Sequence, residues 1–261
     1  MADQSLAGRT AVVTASGGAM GGAIAVLLAR HGADVALNDR RADTTEPFAD
    51  AIRELGRDTF SVTTNVTREA GARELIDGAL SRWGHVDILV NVVGGIKGPV
   101  STPLWEITED DWEYTLGINL RATFQCTKAV VPSMIEQRSG KIVNIASVAW
   151  AGEAAHPHYA VAKAGVVAFT RSAATQLAPY NINVNAIAPG GTRRDAAIAA
   201  QLGLDDPAPM PIPMSVSSTG PLGRTNEPED IANAALFLVS EASRNITGEL
   251  VTVAGGNNHR L

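Results

Sequence analysis

The chain has 261 residues, 21 basic against 27 acidic side chains for a net charge of −6, and one cysteine, Cys126. A net acidic chain without a run of Lys or Arg lacks the electrostatic footprint of a nucleic-acid or anionic-membrane binder, and a lone cysteine excludes an internal disulfide and a cysteine-based zinc site. Charged residues make up 18% and glycines number 25, which points to a large core whose elements approach closely at glycines, not to disorder.

The polar opening Met1–Gly8 has no basic stretch followed by an apolar one, which predicts a cytoplasmic protein rather than a secreted one. Thr10–Ala29 carries no charge and is long enough to mimic a membrane span, but Gly17, Gly18, Gly21 and Gly22 divide it. It reads instead as a strand at Thr10–Thr14, a tight loop, and a helix at Gly21–His31. A second strand follows at Asp34–Asn38 and stops at Asp39, Arg40 and Arg41. A helix is expected at Pro47–Leu55, a third strand at Thr59–Thr63, and a helix at Glu69–Trp83 with Leu75, Ile76, Ala79 and Leu80 on one face.

Val86–Val90 is an apolar strand of the kind buried on both faces. Beyond it come a helix from about Asp110 to Gln137, a strand at Lys141–Ala146, a helix at His158–Leu177, a strand at Asn183–Ile187, a helix at Pro228–Val239 and a strand at Glu249–Val253. Strands joined by crossover helices run parallel, and apolar rather than alternating strands are covered on both faces. The pattern therefore predicts a doubly wound α/β fold with a seven-stranded parallel sheet. Ligands of such sheets bind at the carboxyl ends of the strands, so the chemistry is expected just after each strand. The stretch 193–221, with Pro207, Pro209, Pro211, Pro213 and Pro221 and no periodicity, reads as a substrate lid.

The first βα turn reads Thr14-Ala15-Ser16-Gly17-Gly18-Ala19-Met20-Gly21-Gly22. Glycines in that position let the chain turn tightly and bare its N–H groups to a dinucleotide pyrophosphate, so Ser16, Gly17, Gly18, Met20 and Gly21 are candidate cofactor contacts. Asp39, 18 residues after Gly21, ends the second strand, where a carboxylate accepts ribose hydroxyls and repels a 2′-phosphate. NAD is the preferred cofactor on that ground. Arg40 and Arg41 beside it keep NADP open. Tyr159 and Lys163 stand four apart at the start of a helix and so share a face, and Ser147 precedes Tyr159 by 12 residues.

In these motifs the chain resembles the short-chain dehydrogenase/reductase family, over nearly its whole length. The family pattern Thr-Gly-x-x-x-Gly-x-Gly falls on Thr14, Ala15, Ala19 and Gly21. Ala15 is ill suited to positive φ, so the loop is expected to shift or to lean on Gly17 and Gly18, and the Ala19 methyl to point at the pyrophosphate. The family's Asn-Asn-Ala-Gly appears as Asn91-Val92-Val93-Gly94, and its Asp-Val as Asn65-Val66, whose amide oxygen would accept from the adenine amino group.

The resemblance implies one Rossmann-type domain over 1–261, no metal, and a catalytic set of Asn119, Ser147, Tyr159 and Lys163. In it Tyr159 is the acid/base, and Lys163 lowers its pKa and holds the nicotinamide ribose. Ser147 binds the substrate oxygen, and Asn119 anchors a water that relays protons from Lys163. Asn91, Gly94, Pro189, Gly190 and Thr192 complete the cofactor contacts. The implied partner is a small-molecule secondary alcohol or ketone, with no nucleic acid and no membrane, in a homotetramer built on the helices around 110–137 and 158–177.

Candidate pocket walls are Ile96, Lys97, Val148–Trp150, Glu153, His156 and the lid. Within the family the chain is similar both to 3-oxoacyl-carrier-protein reductases and to dehydrogenases of cyclic cis-diols. A cofactor-sensing protein on the same fold, without catalysis, is the reading from another class, and the presence of Tyr159 with Lys163 stands against it.

Overall fold

The computed structural model describes residues 4–97, 101–193 and 220–257, so most of the proposed lid at 193–221 lies outside the described residues. Strands and helices alternate from the start: β1 (Thr10–Thr14), α1 (Ala19–Arg30), β2 (Asp34–Asp39), α2 (Ala42–Glu54), β3 (Thr59–Thr63), α3 (Glu69–Trp83) and β4 (Ile88–Asn91). The chain continues with α4 (Glu109–Leu116), α5 (Ala122–Gln137), β5 (Gly140–Ile145), α6 (Pro157–Leu177), β6 (Ile182–Pro189), α7 (Pro228–Val239) and β7 (Leu250–Val253). The sheet has seven strands in the order β3-β2-β1-β4-β5-β6-β7, and every neighbouring pair is parallel. Strand order reverses between β1 and β4, and a crevice opens there above the carboxyl ends.

The apolar strands behave as predicted because successive side chains feed opposite faces. Val13, Val35 and Leu37 point into a core made with Ile24 and Leu28 of α1, Ile52 of α2 and Ile231 of α7. Val12, Ala36 and Leu89 point the other way, against Leu75 and Ile76 of α3 and Val130 and Met134 of α5. The uncharged stretch from Thr10 resolves into β1, a turn and α1, and no helix among the described residues is long and apolar enough to cross a membrane.

Two helices differ from the sequence expectation. α2 begins at Ala42, five residues ahead of Pro47, so the proline lies inside the helix instead of opening it. The helix expected from Asp110 to Gln137 is interrupted between α4 and α5 by a π-helical turn, Gly117–Arg121, in which Ala122 N donates to Gly117 O five residues back. That turn carries Asn119.

Candidate active site

The turn after β1 is set by Ala15, which adopts φ +49°, the left-handed conformation that favours glycine. This corrects the expectation for Ala15. The loop keeps its geometry with an alanine there, and Gly17 and Gly18 are not at positive φ. Gly18 N donates to Ala15 O (3.2 Å) and Gly18 caps α1. Gly21 lets α1 press on that same carbonyl: a Cβ there would fall 2.8 Å from Ala15 C. Gly17 is bare because the end of β2 and the start of α2 lie against it, where a Cβ would sit 2.6 Å from Thr44 Cβ and 2.9 Å from Asp39 Oδ2.

Asp39 Oδ1 accepts from the backbone N–H of Arg40 (2.7 Å) and of Arg41 (3.4 Å), which aims the carboxylate across the turn. The Arg41 guanidinium is engaged by Asp43 (2.7 Å), an ion pair that holds the Asp43 carboxyl below its ordinary range. Arg40 lines the cleft.

A cleft of about 580 Å³ runs over this edge of the sheet, within the ~300–1,000 Å³ usual for small-molecule sites. Of the predicted contacts, Gly17, Gly18, Asp39, Arg40, Asn65, Val66 and Gly94 line it. Others sit elsewhere. The Ser16 hydroxyl turns to β2, accepting from Asn38 N (2.9 Å) and donating to Asn38 O (3.2 Å). Met20 packs against the core, and Ala19 is the first residue of α1 and is not part of the cleft lining. Asn65 Oδ1 already accepts from Thr67 N (3.1 Å) and Thr67 Oγ1 (2.8 Å).

Asn91 lies within the sheet, its Nδ2 donating to Asn144 Oδ1 (2.9 Å) and Thr127 Oγ1 (3.2 Å). Pro189 ends β6, and Gly190 packs on Ala254. Thr192 Oγ1 donates to Gly190 O (3.1 Å), and its segment bridges to Asn226. The lining also includes Thr44, Glu113, Tyr114, Ile118 and Arg121, which sequence reasoning missed. Four of these reach the cleft from α4 and its π turn, and their spacing carried no signal of that approach.

At the far end of the cleft Gly94 separates two buried groups. A Cβ on it would stand 2.7 Å from Asn119 Oδ1 and 3.1 Å from Lys163 Nζ, so the glycine keeps open the space that joins them. Asn119 is fully buried and clamps the segment after β4 from both sides, its Oδ1 accepting from Gly95 N (3.2 Å) and its Nδ2 donating to Gly95 O (2.7 Å). Nδ2 also reaches Thr115 O (2.8 Å), and Thr123 Oγ1 takes up the Asn119 carbonyl (2.8 Å). Side chains thereby satisfy backbone groups around the π turn.

Lys163, one turn into α6 beyond Tyr159, is buried and donates from Nζ to Ile145 O at the end of β5 (2.8 Å). Its Nζ stands 5.6 Å from the centre of the Tyr159 ring. Burial lowers the Lys163 pKa to about 7. Burial pushes Tyr159 up to about 12, opposed by the hydrogen bond from Ser147 and assisted by the charge of Glu153. Ser147 caps the helical turn Val148–Ala151 and accepts from Ala149 N (3.2 Å). His156 O accepts from Tyr159 N and Ala160 N (both 3.0 Å), which fixes the start of α6.

The four predicted catalytic side chains thus converge where β4 and β5 end. A dinucleotide fits the residues present: a turn of small residues ending in Gly17 and Gly18 at a helix N-terminus, a carboxylate at the end of β2, and a bare Gly94 before the buried lysine.

Comparison with known proteins agrees. A family model described as enoyl-(acyl carrier protein) reductase matches residues 14–258. The chain is 35% identical over 250 residues to a subunit of (2S)-[(R)-hydroxy(phenyl)methyl]succinyl-CoA dehydrogenase from Thauera aromatica, covering 96% of each chain. It is 35% identical over 250 residues to a 3-oxoacyl-[acyl-carrier-protein] reductase from Staphylococcus epidermidis, covering 95% of this chain and 98% of that one. Among solved structures it is similar to a 7α-hydroxysteroid dehydrogenase complexed with NADH and 7-oxo glycochenodeoxycholic acid. There the TM-score is 0.87 at 34% identity, over 99% of this chain and 98% of that one. A CoA ester, a carrier-bound acyl group and a steroid have in common a hydroxyl or keto group at the reacting carbon.

Proposed function

The chain belongs to the short-chain dehydrogenase/reductase family of oxidoreductases, and from that premise we propose that it is an NAD-dependent dehydrogenase of small secondary alcohols and the corresponding ketones. The observation that carries this reading is Tyr159 one helical turn from buried Lys163, whose Nζ stands 5.6 Å from its ring, with Ser147 just after β5 beside it. The cofactor supplies or accepts the hydride when bound. The chain must then move one proton at the substrate oxygen in the same step.

Tyr159 is the group that does so. A hydroxyl with pKa about 12 is a competent donor toward a developing alkoxide and a poor base, so oxidation of an alcohol requires a positive charge nearby to favour the phenolate. Lys163 provides it on protonation, and a pKa about 7 leaves it able to gain and release a proton near neutrality. Ser147, the neighbour that lowers the Tyr159 pKa, orients the substrate oxygen between the two hydroxyls. Asn119 holds Gly94 and Gly95 in place so that the space beside Lys163 stays open.

Asp39 favours NAD. Its carboxylate faces Gly17, where a ribose would lie against the bare turn, and the neighbouring Arg41 is paired to Asp43 rather than turned toward a 2′-phosphate. A homotetramer belongs to the same reading, supported by Phe124 of α5 and Val161 of α6, which stand exposed on the outer faces of their helices.

Titration with NADH and NADPH by fluorescence is the test. NADH is expected to bind at least ~10-fold more tightly than NADPH, consistent with a carboxylate against a phosphate. Tyr159→Phe is expected to abolish turnover and leave cofactor binding nearly intact. Binding of neither cofactor, or retained turnover in Tyr159→Phe, would overturn the proposal.

A further inference from the structure

After β3 the chain leaves the sheet through Thr64, Asn65, Val66 and Thr67, and all four line the cleft together with Asp39. Thr64 N donates to Asp39 O (3.2 Å) and Asn38 Nδ2 donates to Thr64 O (3.3 Å), so this segment is tied to the end of β2. The order of the sheet edge is β1, β2, β3. A dinucleotide whose pyrophosphate lies on the turn after β1 and whose ribose meets Asp39 after β2 therefore brings its base to the end of β3. Asn65 is the amide side chain that stands there.

The orientation of that amide is fixed by its partners. The N–H of Thr67 can only donate, so the Asn65 atom 3.1 Å from it is the oxygen, and Thr67 Oγ1 donates to the same atom (2.8 Å). Both lone pairs of Oδ1 are thereby used. The backbone is held as firmly: Arg68 N donates to Asn65 O (3.1 Å), and α3 is seated on that carbonyl through Gly71, where a Cβ would fall 2.8 Å from Asn65 C. Asn65 Nδ2 has no hydrogen-bond partner among the described residues, and its N–H groups are what the side chain has left to offer the cleft.

The other polar side chains of this end act in the same sense. Arg40 and Arg121 line the cleft as donors, and Glu113, on the wall opposite Asn65, is paired with Arg121 (3.5 Å). A purine differs in what it carries at its 6-position: adenine has an amino group, a donor, and hypoxanthine or guanine has a carbonyl, an acceptor. A donor facing a carbonyl forms a hydrogen bond, and one facing an amino group leaves both unpaired.

We propose that Asn65 presents its amide N–H groups to the purine and sets the base specificity of the dinucleotide site, which admits a 6-oxopurine dinucleotide as well as the adenine one. The selection for adenine that an acceptor would impose is absent. This reverses the acceptor role expected of the Asn65 amide oxygen. The inference rests on the dinucleotide reading of the cleft and deepens it.

The test titrates the full chain with NADH and with reduced nicotinamide hypoxanthine dinucleotide. Both are followed by the fluorescence of the same nicotinamide, so no turnover is needed. Wild type is expected to bind the hypoxanthine analogue more tightly than NADH or within about threefold of it. Asn65→Asp keeps one oxygen for Thr67 and puts a second where Nδ2 stands, and it is expected to shift the ratio of the two Kd values about tenfold toward NADH. A wild-type preference for NADH above about threefold, or an unchanged ratio in Asn65→Asp, would overturn the assignment. The wild-type ratio decides alone if the variant does not fold. Binding of neither compound counts instead against the dinucleotide reading itself.

Discussion

The turn after β1 and the loop after β5 hold equivalent places in the sheet, each leading from the end of a parallel strand to the start of a long helix. They are built from opposite materials. Ala15–Gly18 offers backbone: small residues, a cap without a side-chain hydrogen bond, and a glycine against which Asp39 and Thr44 are packed. Ser147–Tyr159 offers side chains: a hydroxyl cap, a Glu–His pair and, just inside the helix, a tyrosine and a lysine whose pKa values burial drives in opposite directions. Holding a large, invariant anion asks for bare N–H groups and space. Moving a proton asks for ionisable groups taken out of water, where modest changes in surroundings move their titration across neutrality.

The largest expected effect that probes this contrast is at Lys163. Lys163→Met is expected to cut turnover by about 100-fold or more, as removal of a group supporting proton transfer does. It also carries a pH signature in the cofactor-free protein. Lys163 is lowered from 10.5 to about 7 on folding, so between those values the unfolded chain binds a proton that the folded one lacks, and stability rises with pH through that window. Below about 7 the folded protein carries the buried ammonium and its full desolvation cost. The methionine variant should therefore gain more in Tm over wild type at pH 6 than at pH 9. The lost bond to Ile145 O is common to both pH values and cancels in the difference. Equal changes at the two pH values would mean that Lys163 is not held neutral by burial.

At the opposite pole, Gly17→Ala tests space. The added methyl must displace Thr44 and the Asp39 carboxylate, and overpacking of this kind costs roughly 1–3 kcal/mol. The expected outcome is an increase of about tenfold or more in KM for NAD with kcat little changed, because the side chains proposed to be catalytic lie elsewhere, in the π turn, just after β5 and on α6. A fall in kcat without a change in KM would break the division of labour between the two loops.

The same contrast explains what could be read in advance. β1, β3, α3 and α7 fall at the residues that the sequence pattern predicted: burial on two faces leaves β1 a continuous apolar run, and α3 stops at Gly84 with φ +77°. The order and spacing of Asn119, Ser147, Tyr159 and Lys163 singled them out as the catalytic set proposed above, and the structure brings them together where β4 and β5 end. Their electrostatic character was not legible, because it comes from enclosure by elements distant in sequence. α2 extends ahead of its apolar pattern, since Pro47 looks like a helix start and the polar turn before it carries no apolar face. The π turn at Gly117–Arg121 has no residue signature at all, yet it sets Asn119 against Gly95 and brings Ile118 and Arg121 to the cleft.

The smallest expected effect is the most pointed test of the backbone half. Ala15 stands in the left-handed region at φ +49°, at the place where the family pattern has glycine. An L-residue there costs roughly 1–2 kcal/mol, and Ala15→Gly removes that cost while adding about 0.4–1 kcal/mol of unfolded-chain entropy. The balance is a net gain of about 0.5–1 kcal/mol, a rise of roughly 1–4 °C in Tm for a chain of this size. Cofactor affinity should change by less than about twofold, because the turn already holds the conformation that glycine would allow, with Gly18 N bonded to Ala15 O and α1 seated on the same carbonyl. A tenfold tightening of NAD on Ala15→Gly would show that the free turn has to rearrange before it binds. The phosphate half would then depend on its side chains as strongly as the catalytic half does.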